Sequence, residues 1–312
     1  MRILILNPNQ INRYNWGHQL FKNTFSKYHD VVYYGEGFPN YNENKTIPKV
    51  LSKMKKKGKK DFDLIITYES KWMRVFKGLE DVDIPKAHIV VDYHKPVKDV
   101  KVFSTWTNVN GLIKKNKPDI IFARTIRDVE DLKKNLNFEK VFFLPFSVET
   151  DLYRDMNLDR NIDAMATFTT RKDIYPIREK IQLMLNKMPI TTFTKRAINR
   201  QYINKLNCSK MFINSGEVGY VGLTMKFTEV LACGTFLITE EPNDMQAAGF
   251  KNGEHFVVFK GLDDLKKKIN YYLKHEKERK RIALNGMKFV HSHHSNDIRV
   301  KYFIDKTCEE IL

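Results

Sequence analysis

Short apolar runs punctuate the first half of the chain: Ile3–Leu6, Val31–Tyr34, Leu64–Ile66, His88–Val91, Ile120–Phe122 and Val141–Leu144. They are continuous rather than alternating and rich in β-branched and aromatic residues. Such runs mark strands covered on both faces, as in a parallel sheet. Between them the spacing turns helical, with Leu20, Phe21 and Phe25 in one stretch and Val129, Leu132 and Leu136 in another. Strand alternating with helix predicts right-handed βαβ units and a doubly wound sheet.

Pro145 and the segment Phe146–Asp155 read as a connection, after which the alternation restarts. Strands are predicted at Ala164–Phe168, Met211–Ile213, Thr235–Thr239 and Phe256–Phe259. Helices are predicted at Pro176–Met188, Phe227–Ala232, Leu262–Leu273 and Glu276–Val290, with a last amphipathic helix from Asp297. Pro176 suits the first turn of its helix. The pattern is thus an α/β chain of two doubly wound domains, 1–147 and 148–290, and a closing segment 291–312.

Composition narrows the class. Of the 312 residues 42% are hydrophobic and 12% aromatic, enough for a packed core, which argues against full disorder. Cys208, Cys233 and Cys308 are few, odd in number and far apart, which excludes a four-cysteine zinc site and argues against a disulfide framework. No run approaches the ~18 apolar residues of a membrane span. The apolar stretch before Asn7-Pro8 is too short for a secretory signal. A reduced, soluble, cytoplasmic protein is the expectation.

The net charge is +17. Residues 1–150 hold 27 Lys and Arg against 17 Asp and Glu, and 151–312 hold 27 against 20. A basic surface fits nucleic acid, an anionic membrane or a phosphorylated substrate. The densest run, Lys53–Lys60, reads first as a solvated loop, as charge runs usually are, with a patch for a phosphate backbone or anionic lipid as the alternative.

Chemistry in such sheets sits beyond the carboxyl ends of the strands. No GxGxxG follows the first strand and no GxxxxGK[ST] occurs, so the familiar dinucleotide and P-loop sites have no support. The stretch Asn214–Gly234, NSGEVGYVGLTMKFTEVLACG, is the most informative. A strand ends, a loop with Gly216, Gly219 and Gly222 follows, and a helix opens near Lys226. A lysine at a helix amino end is unfavourable unless an anion such as a diphosphate sits there. Glu229 lies on the same helix face and can accept two hydrogen bonds from a vicinal diol such as ribose. The same spacing also fits a surface ion pair.

KFTEVLACGTFLITEEP resembles the donor-site signature of GT-B glycosyltransferases, closest to the group 1, spore-maturation-like type. LPFSVETDLY resembles the interdomain connector, and DAMATFTTRKDIYPIREKI the opening of the second domain. YINKLNCSKMFINSG and DMQAAGFKNGEHFVVFKGLDDLKKKINYYL resemble the segments flanking the donor loop, and HHSNDIRVKYFI the closing helix. The likeness covers residues 140–312 well and the first domain loosely.

The resemblance implies two Rossmann-like domains facing a cleft, the first for the acceptor and the second for a nucleotide-sugar, with the closing helix returning to the first. It implies a hexosyltransferase. Glu229 matches the ribose-holding Glu and Lys226 the basic position beside it. Arg171, Lys172 or Arg178 would supply a cation to the diphosphate, though Arg178 equally suits a structural ion pair. Gly219, Tyr220 and Thr224 belong to the donor loop. No metal or other cofactor is implied. Related retaining enzymes carry a second Glu eight residues before the first. Here that position is Val221, and Glu217 is the nearest acid upstream. Glu217 therefore joins the catalytic candidates.

In the first domain, His88–His94 reads as a strand running into a polar loop. Asp92 and His94 are candidates for base or sugar-positioning groups, since a His titrates near neutrality. His94 also fits a plain surface loop. Asn9, Gly17 and His18, after the first strand, form a candidate acceptor loop. His291, His293 and His294 resemble a zinc cluster in composition, but no Cys or acid lies at ligand spacing except Asp297, which argues against a metal.

Four functions compete on this reading. One is metal-independent sugar transfer from a nucleoside-diphosphate sugar to an anionic acceptor, such as DNA, a lipid-linked glycan or a cell-wall polymer. Another is nucleic-acid binding without transferase activity, and a hybrid would glycosylate modified DNA bases. A degenerate scaffold serving as a binding module is a further alternative.

Overall fold

The computed structural model describes residues 1–9, 16–55, 61–69, 76–91, 93, 109–170, 174–216 and 219–312. They form two compact units, the first of described residues up to 144 together with 300–312, the second of 145–299.

The first unit is built on β1 (Arg2–Leu6), β2 (Asp30–Tyr34), β3 (Leu64–Glu69), β4 (Lys86–Val90), β5 (Ile120–Ala123) and β6 (Val141–Phe143). All pair in parallel, in the order β2-β1-β3-β4-β5-β6. The strands show why their sequences are unbroken apolar runs. Side chains alternate between faces, and both faces are covered. Ile3 and Ile5 pack against Phe21 and Phe25 of the segment α1 (Trp16–Thr24) to Lys27, and against Val300, Phe303 and Ile304 of the last helix. Leu4 and Leu6 pack on the other side against Ile47 and Val50 of α2 (Ile47–Lys55). Two more helices, α3 (Val109–Asn116) and α4 (Ile126–Leu136), complete the crossovers. At the start of α4 the Thr125 hydroxyl accepts the Asp128 N–H, and Asn137 closes it in a left-handed conformation, φ 51°.

The second unit holds β7 (Ile162–Met165), β8 (Thr192–Phe193), β9 (Ser209–Asn214), β10 (Phe236–Thr239) and β11 (Val257–Val258), parallel in the order β11-β10-β9-β7-β8. Its helices are α5 (Arg178–Lys187), α6 (Asn199–Asn207), α7 (Met225–Ala232), α8 (Gly261–Lys274) and α9 (Glu276–His293). Ile181, Leu185, Leu265, Ile269 and Ile282 cover Ala164, Met211, Ile213, Phe236 and Ile238. The chain closes with α10 (Asn296–Ile311).

The structure departs from the sequence pattern in a few places. Strand β8 and helix α6 carry too little apolar periodicity to have been expected. Helix α2 takes in Lys53 and Lys55, so the head of the basic run is helical rather than loop, while residues 56–60 lie outside the described residues. Helix α5 opens at Arg178, after Pro176 rather than on it, and α9 continues through His293. The units part at 144/145, against the expected 147. Among the described residues, no helix is long and apolar enough to cross a membrane.

Helix α9 is seated very closely on the second sheet's loops. A Cβ at Gly286 would lie 2.4 Å from the His255 carbonyl oxygen and 2.9 Å from Leu231 Cδ2. Backbone cannot yield as a side chain can. Gly286→Ala should therefore destabilise by about 2–3 kcal/mol through overpacking, read as a lowered urea midpoint with an unchanged slope.

Candidate active site

The carboxyl ends of β7 and β9 meet the amino end of α7. Strand β9 ends at Asn214, and the chain loops through Gly216–Leu223 before α7 opens at Met225. The described residues of this loop are tied down at Gly216, Tyr220 and Val221. Gly216 N–H donates to Glu240 Oε2 at 2.9 Å. The Val221 N–H donates to Asn243 Oδ1 and the Asn243 N–H donates to the Val221 carbonyl, each at 2.9 Å. The Tyr220 hydroxyl donates to buried Asp244. A Cβ on Gly216 would sit 2.7 Å from Val221 Cγ2, so that position tolerates only glycine. Val221 thus packs the loop shut where related retaining enzymes carry a carboxylate. Gly219 adopts φ +75°, where a side chain is strained.

Thr224 caps α7 with extended backbone and no side-chain hydrogen bond. The opening N–H groups of a helix have no intrahelical acceptor, and they attract anions. Lys226 stands in that first turn. Its ammonium donates to the Thr167 carbonyl at 2.9 Å and lies 4.8 Å from the centre of the Tyr202 ring. One turn on, Glu229 is 8% exposed, which removes the reading of this pair as a surface ion pair. Burial raises the Glu229 carboxyl above the usual range, while Lys226 and the Tyr153 and Tyr202 hydroxyls favour its charge. Burial lowers the Lys226 ammonium, with Glu229 opposing and Arg178 adding to the shift. Both phenols are pushed well up, by burial and then by the Glu229 charge. The site is a buried carboxylate and a partly buried ammonium, one helical turn apart, backed by two tyrosines.

Arg178 is placed differently from a cation aimed at a ligand. Its Nε and one terminal nitrogen donate to the Ser215 carbonyl at 3.1 and 2.7 Å, and the other to the Thr169 carbonyl at 3.2 Å. The guanidinium stacks 3.4 Å from the centre of the Tyr175 ring. It straps the loop after β7 to the loop after β9. Behind the site, Arg160 donates to the carbonyls of Leu206, Ser209 and Cys233 and to the Thr235 hydroxyl. It thereby holds the turn at Gly234, whose φ of +65° ends α7. Arg171, Lys172 and Glu217 lie outside the described residues.

In the first unit, Asn9 bonds to the loop after β2, its N–H to the Glu36 carbonyl at 2.8 Å and its amide to the Gly37 carbonyl at 3.4 Å. Gly17 lies within α1 rather than opening it. His18 is buried, with Nδ1 2.6 Å from the Tyr68 hydroxyl, and burial with Arg124 and Lys22 nearby drives its pKa down to about 3. It is a neutral imidazole held inside the unit, not an exposed acceptor contact. Buried Arg124 donates to the same Tyr68 hydroxyl at 2.9 Å. Asp92 and His94 lie outside the described residues. No group of three side chains suited to a metal ion occurs among the described residues. His293 stacks on Phe289, and His294 contacts the Ala248 carbonyl and Arg299.

The sequence singles out Lys226 and Glu229, which the structure brings together at α7, but not Tyr153, Tyr202 and Arg160, which lie around them. Those three sit inside or beside quoted motifs, but nothing local in the sequence marks them as neighbours of α7.

Comparison with known proteins bears on the fold and on the second unit. The glycosyl transferase-like family matches residues 187–305, a span that includes Tyr202, Lys226 and Glu229. No curated protein matches the chain in sequence. Among solved structures, Anabaena HepE in complex with UDP-glucose is similar with a TM-score of 0.72 at 11% identity, covering 99% of this chain and 100% of its own. Sucrose-phosphate synthase from Thermosynechococcus elongatus is similar with a TM-score of 0.63 at 12% identity, covering 99% of both chains. An alpha-glucosyltransferase in complex with UDP and a 13-mer DNA containing an HMU base is similar with a TM-score of 0.63 at 13% identity, again over 99% of both. Two parallel sheets and the likeness to these structures over 99% of the chain give it a GT-B-like fold, and residues 187–305 match the glycosyl transferase-like family.

Proposed function

We propose that the chain transfers a sugar from a uridine diphosphate sugar to a hydroxyl group of an anionic acceptor, without a metal ion. The carrying observation is the buried Glu229 carboxylate one turn from Lys226, at the amino end of α7. Glu229 accepts the two ribose hydroxyls. Lys226 and the opening N–H groups of α7 face the diphosphate. In the reaction the acceptor oxygen bonds to the anomeric carbon, the bond from that carbon to the diphosphate oxygen breaks, and the acceptor hydroxyl releases its proton. Negative charge grows on the leaving diphosphate, and preorganised N–H groups and an ammonium stabilise it there. Asp92, His94 and Glu217 are the candidates for taking the proton. The UDP and UDP-glucose complexes of similar folds support the uridine donor. The excess of 27 basic over 17 acidic residues in 1–150 supports an anionic acceptor.

The test is a thermal-shift series with nucleotide-sugars, with and without EDTA. A ligand at ~100 times its dissociation constant stabilises by about 2.7 kcal/mol. A shift with uridine diphosphate sugars that survives EDTA is expected. No shift with any nucleotide-sugar would sink the donor reading, and a shift abolished by EDTA would sink the metal-free one.

A further inference from the structure

The second unit carries a cavity of about 490 Å³ at the amino ends of its strands. Lys210, near the start of β9, and Phe236, the first residue of β10, both line it. Helix α7 opens at the opposite edge of the same parallel sheet, after β9 has ended at Asn214. The cavity is thus separate from the Lys226–Glu229 site. Its volume falls in the range of small-molecule sites. Helix α9 supplies one wall with two neighbouring rows at four-residue spacing. Arg279, Ala283 and Met287 form one row, and Glu276, Lys280 and Leu284 the other.

The charges of this wall cancel in pairs, with one buried exception. Arg160 meets Asp155 at 3.4 Å, Lys280 meets Glu276 at 2.5 Å, and Lys210 meets Asp163 at 2.7 Å. Arg279 is only 6% exposed and forms no ion pair among the described residues. Its Nη1 donates to the Tyr272 carbonyl at 2.5 Å, and no acceptor among the described residues meets its other two nitrogens. Burial lowers its pKa, with Glu276 and Asp163 opposing and Arg160 adding to the shift. A guanidinium taken out of water without a matched anion is costly. Its remaining donors form a planar fork that suits a carboxylate or a phosphate. Asp159 also lines the cavity without an ion pair, but it is exposed, and water and salt screen it.

The rest of the lining is apolar. Phe236 and Ala283 are buried, and Met287 is partly so. Leu158 and Leu284, at 41% and 44% exposure, stand on the same cavity. A lone exposed leucine needs no explanation, but two beside one buried guanidinium make an amphipathic lining. We infer that this cavity binds a small organic anion, its phosphate or carboxylate on Arg279 and its apolar body against Leu158, Leu284 and Met287.

The experiment is isothermal titration of the full chain with phenyl phosphate, benzoate and inorganic phosphate, at one pH and salt. Saturable binding of phenyl phosphate or benzoate is expected, and the tighter of the two identifies the headgroup that the fork takes. Arg279→Gln should weaken it by about 10-fold or more, because hydrogen bonds from a charged donor are lost. Leu284→Glu alters an exposed side chain and should melt with wild type. The carboxylate it adds at the cavity should weaken binding by about threefold. Saturating UDP should leave the affinity unchanged, because the two sites lie at opposite ends of β9. Lack of saturable binding by either organic probe, or displacement of the probe by UDP, overturns the site. So does wild-type affinity in a folded Arg279→Gln or, where that variant does not fold, in Leu284→Glu. Inorganic phosphate binding as tightly as phenyl phosphate overturns the apolar contact and with it the class of ligand.

Discussion

Replacing Glu229 by glutamine is expected to lower kcat/KM for the nucleotide-sugar by about 100-fold or more, while the protein stays folded. The substitution keeps size and removes charge. A hydrogen bond to a charged group contributes about 1.5–3 kcal/mol, and two ribose hydroxyls meet this carboxylate in the proposed complex. The site around Glu229 is fixed from three directions, by Lys226 on its own helix, by Tyr202 of α6 and by Tyr153. A glutamine finds the same space but leaves the Lys226 ammonium without its nearby carboxylate. Retained kcat/KM in this variant would show that the ribose is held elsewhere.

The second large effect concerns Lys226 and pH. Burial lowers this ammonium below its ordinary 10.5, and burial raises Glu229 above its ordinary 4.5. The two shifts narrow the window in which both charges exist. As pH rises through the lowered lysine value, the ammonium is lost and diphosphate affinity falls. As pH drops through the raised carboxyl value, Glu229 is neutralised and ribose affinity falls. Donor kcat/KM should therefore be bell-shaped, with its alkaline limb below the range of an exposed lysine and its acid limb above that of an exposed glutamate. Lys226→Met should lower the maximum by about 100-fold, in line with the loss of one preorganised donor to a developing charge. It should also abolish the alkaline limb. A Lys226→Met enzyme with an unchanged alkaline limb would assign that limb to another group.

The strands were readable because burial on both faces leaves a mark in sequence. Ile3–Leu6 has no polar residue to place on either side, and the structure covers both. Strand β8, only Thr192–Phe193, is too short at its edge position to carry a pattern. Helix α6 opens after Ile198 with no side-chain cap, and Asn199 takes φ 51°, so neither a start signal nor a strong periodicity was present. Helix α2 was hidden by its own lysines, which read as a charge run. At the site, Lys226 and Glu229 could be seen because loop, helix and spacing are local. Tyr153 and Tyr202 reach the same carboxylate from 76 and 27 residues away, and only the fold brings them there. Arg178 fitted either a diphosphate cation or a structural residue, and in the structure its guanidinium donates to the carbonyls of Ser215 and Thr169.

The most direct test of the donor site is isothermal titration of uridine diphosphate into wild type and Glu229→Gln at one pH and salt. Saturable binding by wild type, weakened at least tenfold in the variant, is the predicted result. Equal affinity in the two proteins, or no binding by wild type, would contradict the assignment of Glu229 and α7 to the nucleotide.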